Sequence, residues 1–213
     1  MTSTPGHIVL LGDSIFDNQS YTRGEPDVVT HLRSMLPVPW RATLQAIDGA
    51  TTANVSRQFS GIPDDSSHCV LSVGGNDALM NIDLLDMPVA SSAEALERFG
   101  ERLEPFEDAY RAALQALARG RIPITVCTIY NGALEGEMAR RARTALMMFN
   151  DVILRSAFDY RASVIELRGI CVDAADYANP IEPSGIGGRK IARAIARAVG
   201  ALDGEAVSKV FSG

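Results

Sequence analysis

The tripeptide Gly12-Asp13-Ser14 places a serine hydroxyl directly behind a short apolar run, His7-Ile-Val-Leu-Leu11, that reads as a β-strand. A serine just past a strand, beside a glycine that permits a tight turn, can hold its hydroxyl over the sheet edge as a nucleophile. Two further segments take comparable places: Ile47-Asp48-Gly49-Ala50 behind a second run and Gly74-Gly75-Asn76-Asp77 behind a third. Acyl transfer needs hydrogen-bond donors for a developing oxyanion. The backbone N–H groups of Ser14 and Gly49 and the side-chain amide of Asn76 would supply three from neighbouring strand ends. Taken singly, each segment reads equally well as a plain turn with an Asx or Ser cap. Asp13 and Asp77 are expected to hydrogen-bond the loop backbones that aim Ser14 and Asn76.

Bringing these residues together requires an alternating chain. Residues 27–36 carry Val28, Val29, Leu32, Met35 and Leu36 at helical spacing. Residues 41–47 read as a second strand, 52–59 as a short helix and 68–73 as a third strand stopped by Gly74-Gly75. Ser91-x-x-Glu94 has capping-box spacing and opens a long amphipathic helix, which Pro105 is expected to kink and Gly120 to cap. A fourth strand over 122–129, a helix over 138–158, a fifth strand over 163–167 and a last helix over 186–199 complete the pattern, leaving 203–213 as a polar tail expected to fray.

Five strands alternating with helices make βαβ units, whose right-handed crossovers put helices on both faces of a parallel sheet. The expected fold is a flavodoxin-like three-layer α/β/α sandwich with a five-stranded parallel sheet, formed by residues 1–213 as one domain. Ligands of such sheets bind outside the carboxyl ends of the strands, so residues 12–14, 48–50, 74–77, 130–134 and 169–184 should crowd one rim.

Composition narrows the function classes. With 20 Lys and Arg against 26 Asp and Glu the formal charge is −6, and no basic block suited to nucleic acid or an anionic membrane is present. Cys69, Cys127 and Cys171 are odd in number, far apart and set in apolar runs. They read as reduced core thiols rather than a disulfide framework or a zinc cluster. No basic stretch followed by an apolar core marks the first residues and no run approaches eighteen apolar residues, so a cytoplasmic setting without a membrane span is expected. Nothing in the sequence indicates the oligomeric state.

The ordered blocks Gly12-Asp13-Ser14, Gly49 and Gly74-Gly75-Asn76-Asp77 resemble those of the SGNH or GDSL hydrolases, and the likeness covers nearly the whole chain. The resemblance implies an esterase, thioesterase or lysophospholipase-like enzyme that works through an acyl-serine, without metal or cofactor. It departs in the last block. Where the family has Asp-x-x-His before a proline, this chain has Asn179-Pro-Ile-Glu182-Pro183. Asn179 takes the aspartate's place and Glu182 that of the histidine, the group that accepts the serine proton and returns it to the leaving group.

The three histidines offer no obvious substitute. His7 and His68 fall at the amino ends of their strands, and His31 lies about one turn into a helix that runs away from the rim. Glu182 is the better candidate base, handicapped by a carboxylate pKa near 4.3 that partial burial would raise. Asp173 and Asp176 could orient a partner or merely solvate their loop. The glycines of Gly185-Ile-Gly-Gly-Arg-Lys190 lack phosphate-loop spacing and read as the start of a helix. Phe16, Tyr21, Met80, Leu84, Leu85 and Met87 on the rim loops suggest an apolar acyl pocket or simple loop packing. The reading is hydrolysis of a small ester or thioester, against two alternatives: an impaired relative that binds an acyl or sugar-ester ligand, and an acyltransferase.

Overall fold

A computed structural model describes residues 6–203, so the tail expected to fray lies, apart from Asp203, outside the described residues. Five strands, β1 (His7–Gly12), β2 (Arg41–Leu44), β3 (His68–Ser72), β4 (Ile124–Cys127) and β5 (Ser163–Ile165), form one sheet in the order β2-β1-β3-β4-β5. Every pairing is parallel. Helices cover both faces, as the alternation requires. Ile8, Leu10 and Val70 face α1 (Val28–Met35) and α5 (Gly185–Ala198), while Val9, Leu11 and Leu71 face α3 (Ser92–Ala118) and α4 (Gly136–Asp159). The interior strand β1 is buried along its whole length, which explains its unbroken apolar run. This is the three-layer α/β/α sandwich.

Register sets up the site. Gly12 pairs with Ser72, so β1 and β3 end level and the chain leaves them side by side toward Ser14 and Asn76. The observed strands are shorter than expected. β2 stops at Leu44 because the N–H groups of Gln45 and Ala46 both donate to the Leu10 carbonyl (2.8 and 3.0 Å), a bulge that turns the chain out of the ladder.

One helix escaped the sequence. Gly75–Met80 forms α2, where Gly-Gly-Asn-Asp suggested only a turn, and a 3₁₀ turn at Ile82–Leu85 follows it. The short helix expected over 52–59 is a 3₁₀ helix at Val55–Gly61. The helix α3 starts after Ser91, whose hydroxyl accepts from the Glu94 N–H (3.1 Å), and it continues through Pro105. Gly120 is not its left-handed terminus: Arg119 closes the helix, and Arg121 takes the positive φ of 57°.

Candidate active site

The nucleophile loop is held by backbone contact. At Gly12 (φ 127°) a Cβ would sit 1.7 Å from the Ser72 carbonyl oxygen, so only glycine lets β1 run this close to β3. Gln58, buried on the 3₁₀ helix, grips the same residue from both sides. The Gly12 N–H donates to its Oε1 (2.8 Å), and its Nε2 donates to the Gly12 carbonyl (2.7 Å). Asp13 Oδ1 then accepts from the Ile15 N–H (3.2 Å). Ser14 emerges 8 % exposed, and its Oγ donates to Glu182 Oε1 at 3.0 Å.

The loop that carries Glu182 is equally constrained. Asn179 Oδ1 accepts from the N–H groups of Ile181 and Glu182, both at 2.9 Å, an Asx turn that folds the loop back on itself. Asn179 therefore supports the backbone around Glu182, and its Oδ1 is committed to those two groups. The Tyr130 hydroxyl donates to the Ile181 carbonyl (2.5 Å), and the Ala133 N–H to the Pro180 carbonyl (2.8 Å). Asn18, fully buried, donates from Nδ2 to the Pro183 carbonyl (3.1 Å) and accepts from the Val28 N–H (3.1 Å), linking the segment after Ser14 to the one around Glu182.

Burial controls the charge state of these carboxyls. Glu182 is 6 % exposed and its Oε2 has no partner, so desolvation pushes its pKa up to about 7, against the lowering effect of the Ser14 hydroxyl. Asp48 nearby adds a like charge. Asp13 is pushed up to about 8, again chiefly by burial, with Glu182 contributing repulsion. Burial therefore holds both carboxyls toward their protonated forms, Asp13 more strongly than Glu182.

The other predicted donors stand on adjoining loops. Asn76, in the first turn of α2, lines the same cavity as Ser14, and its Nδ2 donates to the Ala50 carbonyl (2.9 Å). That bond orients the amide and ties α2 to the loop after β2. Asp77 Oδ2 reinforces the tie by accepting from the N–H and the hydroxyl of Thr52, both at 3.0 Å. Gly49 forms the turn of that loop with φ 76° and lies outside the cavity lining.

No histidine lines the cavity. His7, at the amino end of β1, bonds Asp65 through Nδ1 (2.8 Å) and Thr43 through Nε2 (2.7 Å). His68 bonds Ser67 (2.9 Å) and lies beside the Trp40 ring, and His31 sits on α1 near Gly188. Asp176 is fully buried, accepts from the N–H groups of Val172 and Asp173, and with Asp173 binds Lys190, which makes the pair a loop anchor. Gly187 belongs to the start of α5, where a Cβ would meet the Asp176 carbonyl at 2.1 Å.

The apolar pocket differs from expectation in its walls. Of the six residues proposed from the rim loops only Leu85 lines the cavity. Phe16 is fully buried in the core between the sheet and α1 and α5, Tyr21 bonds Asp48, and Met80 is 73 % exposed. The missing wall comes from Phe99 on α3 and Ala142, Ala145, Leu146 and Phe149 on α4. Sequence reasoning also passed over Gln58, Asn18 and Asn150. Asn150 is buried on α4 and holds both the N–H (2.7 Å) and the carbonyl (2.9 Å) of Ile129 at the end of β4. A polar residue inside an apolar helical stripe is the one signal that could have marked Asn150.

Comparison with known proteins agrees with this architecture. Among curated protein sequences nothing matches significantly. Solved structures that share the fold include an extracellular lipase from Streptomyces rimosus (14% identity, TM-score 0.66, covering 91% of this chain and 99% of that one). A phospholipase A1 from Streptomyces albidoflavus (16%, TM-score 0.67, 90% and 98%) and an acetylxylan esterase from Geobacillus stearothermophilus (19%, TM-score 0.63, 92% and 94%) share it too. The model of the GDSL-like lipase/acylhydrolase family matches residues 10–187, from the strand before Ser14 through the loop of Glu182 to the start of α5. The chain belongs to the GDSL-like lipase/acylhydrolase family of ester-cleaving hydrolases.

Proposed function

We propose that the protein hydrolyses a small ester or thioester through an acyl-serine on Ser14, with Glu182 accepting the proton that a histidine takes elsewhere in the family. The observation that carries the reading is the 3.0 Å hydrogen bond from Ser14 Oγ to Glu182 Oε1. In the first half-reaction the Glu182 carboxylate takes the serine proton as Oγ bonds to the substrate carbonyl carbon. The N–H of Ser14 and the Asn76 amide, both at the cavity, stabilise the resulting oxyanion. Collapse breaks the bond to the leaving alkoxide or thiolate, which takes the proton from Glu182. Water then attacks the acyl-serine, giving its proton to Glu182, and Oγ recovers that proton as the acid departs. No metal or organic cofactor enters these steps.

A carboxyl pKa near 7 supports both roles, since such a group is neither too weak a base for serine nor fully ionised when the leaving group needs an acid. Residues 1–213 are taken as one catalytic domain. A cytoplasmic setting fits the three buried free thiols. Among the described residues no helix is long and apolar enough to cross a membrane.

Treatment with a fluorophosphonate, followed by intact mass and by p-nitrophenyl acetate hydrolysis, tests the reading. Single labelling at Ser14 is expected, and Ser14→Ala should lose the label and about 10³-fold or more in kcat/KM while keeping its melting temperature. Undiminished hydrolysis by Ser14→Ala overturns it. Absent labelling with retained ligand affinity would leave a binding protein, and acyl transfer to added alcohol in preference to water would identify an acyltransferase.

A further inference from the structure

The cavity at Ser14 is chemically divided. Asp13, Asn76 and Glu182 cluster with the nucleophile, Tyr130 and Asn131 line the loop after β4, and the wall contributed by the helices is built from Ile82, Leu85, Phe99 and Leu146. Asn81 lies on the wall with its amide already engaged: Nδ2 donates to the Asp77 carbonyl (2.9 Å) and Oδ1 accepts from Arg102 (3.0 Å). Among the described residues no lysine or arginine lines the space, so no side-chain cation there would hold an anionic chain, and a cationic one would have only Asp13 and Glu182, both at the reacting end.

Two small residues keep it open. Ala142 and Ala145 stand three positions apart on one face of α4, where any larger side chain would project into the void. Beneath them Phe149, packed on Phe106 with ring centroids 5.1 Å apart, belongs to the rigid core. The cavity measures about 120 Å³. An atom-sized occupant takes about 10–15 Å³ of such space, so it holds about eight to twelve heavy atoms. The carbonyl oxygen takes one of those places, and the mouth over Ser14 takes part of the rest.

We propose that this cavity is an acyl-chain site for a straight, uncharged chain of about six to eight carbons, whose length limit is set by Ala142 and Ala145 against Phe99 and Leu146. The assignment of the chain as an acyl group rests on the serine-hydrolase reading; the apolar occupant does not. Burying each further methylene is expected to raise kcat/KM about two- to fourfold until the cavity is full.

The test uses p-nitrophenyl esters from acetate to dodecanoate, with thermal unfolding in octanamide or acetamide as a readout that needs no turnover. The expected result is a maximum at hexanoate or octanoate with a fall of tenfold or more at dodecanoate. Octanamide should raise the melting temperature where acetamide does not. Ala145→Phe should lower the octanoate-to-acetate ratio of kcat/KM at least tenfold and abolish the octanamide shift, and Leu146→Ala should move the maximum to a longer chain. If Ala145→Phe does not fold, Leu146→Ala decides alone. A profile falling steadily from acetate, or a ratio unmoved in the folded variants, overturns the proposal while leaving the hydrolase reading intact. An octanamide shift without turnover of any ester keeps the apolar site and overturns the hydrolase reading instead.

Discussion

The two ends of the sheet are built from opposite chemistry. At the amino end His7 is paired with Asp65 and Thr43, His68 leans on Trp40, and Arg41 makes an ion pair with Asp65. At the carboxyl end no histidine and, among the described residues, no cation lines the cavity, and the acids there are two buried carboxyls, Asp13 and Glu182, with the Tyr130 phenol beside them. Imidazoles thus do structural work where the strands begin, their pKa values lowered by burial, while carboxyls raised toward and above neutrality stand where the strands end. On the proposed mechanism, the contrast teaches that a site can meet the demand for a group titrating near pH 7 by desolvating an acid rather than by recruiting the usual base.

The sharpest way to break the comparison is to remove the acid that titrates there. Glu182→Gln keeps the shape of the side chain and is expected to cost about 10²–10³-fold in kcat. In the wild type kcat/KM should rise with pH and level off above about 7, because the protonated carboxyl present below that pH cannot accept the serine proton. Initial rates across pH 5.5–8.5 check both, and a flat profile would remove Glu182 from the base position. Glu182→His with Asn179→Asp should label faster with fluorophosphonate than the wild type, since it restores the pair found in the family.

A smaller effect is expected from the clamp behind the nucleophile. Gln58→Leu leaves the N–H of Gly12 without its partner and its carbonyl with the Ile47 N–H alone. It should destabilise the fold by about 2–3 kcal/mol in urea unfolding. The labelling rate should fall about tenfold as Ser14 loses its fixed approach. Smallest of all, His7→Gln, His31→Gln and His68→Gln are each expected to change kcat/KM less than twofold and to leave the pH midpoint in place. A large loss in any of them would return a histidine to the chemistry and dissolve the contrast.

What could be read from the chain follows the range of the forces involved. The five-stranded parallel sheet, the placement of Ser14, Asn76 and Glu182 on one rim and the burial of the cysteines were legible, because short apolar runs, period-3.6 apolar patterns and glycine stops are local. Gln58, Asn18 and Asn150 were not. Each is a polar residue whose partner lies 10 to 165 positions away, and no local pattern distinguishes such a residue from a solvated one. The acyl wall was misplaced for a related reason. Apolar loop residues such as Phe16 packed inward, whereas the space itself is made by what Ala142 and Ala145 lack, and two alanines in a helix look like ordinary helix formers. The helix α2 was hidden because its first residues, Gly75, Asn76 and Asp77, are turn formers that here satisfy neighbouring loops.

With Glu182 as the proposed base, its unpartnered Oε2 puts folding and activity under opposing selection. A buried acid held above its solution pKa stabilises the fold only while it carries its proton, and it becomes a burden as the pH climbs from the unfolded value through about 7. A library screened at pH 8 for thermal endurance alone would accordingly drift toward glutamine or methionine at position 182, gaining sturdiness with each step away from turnover.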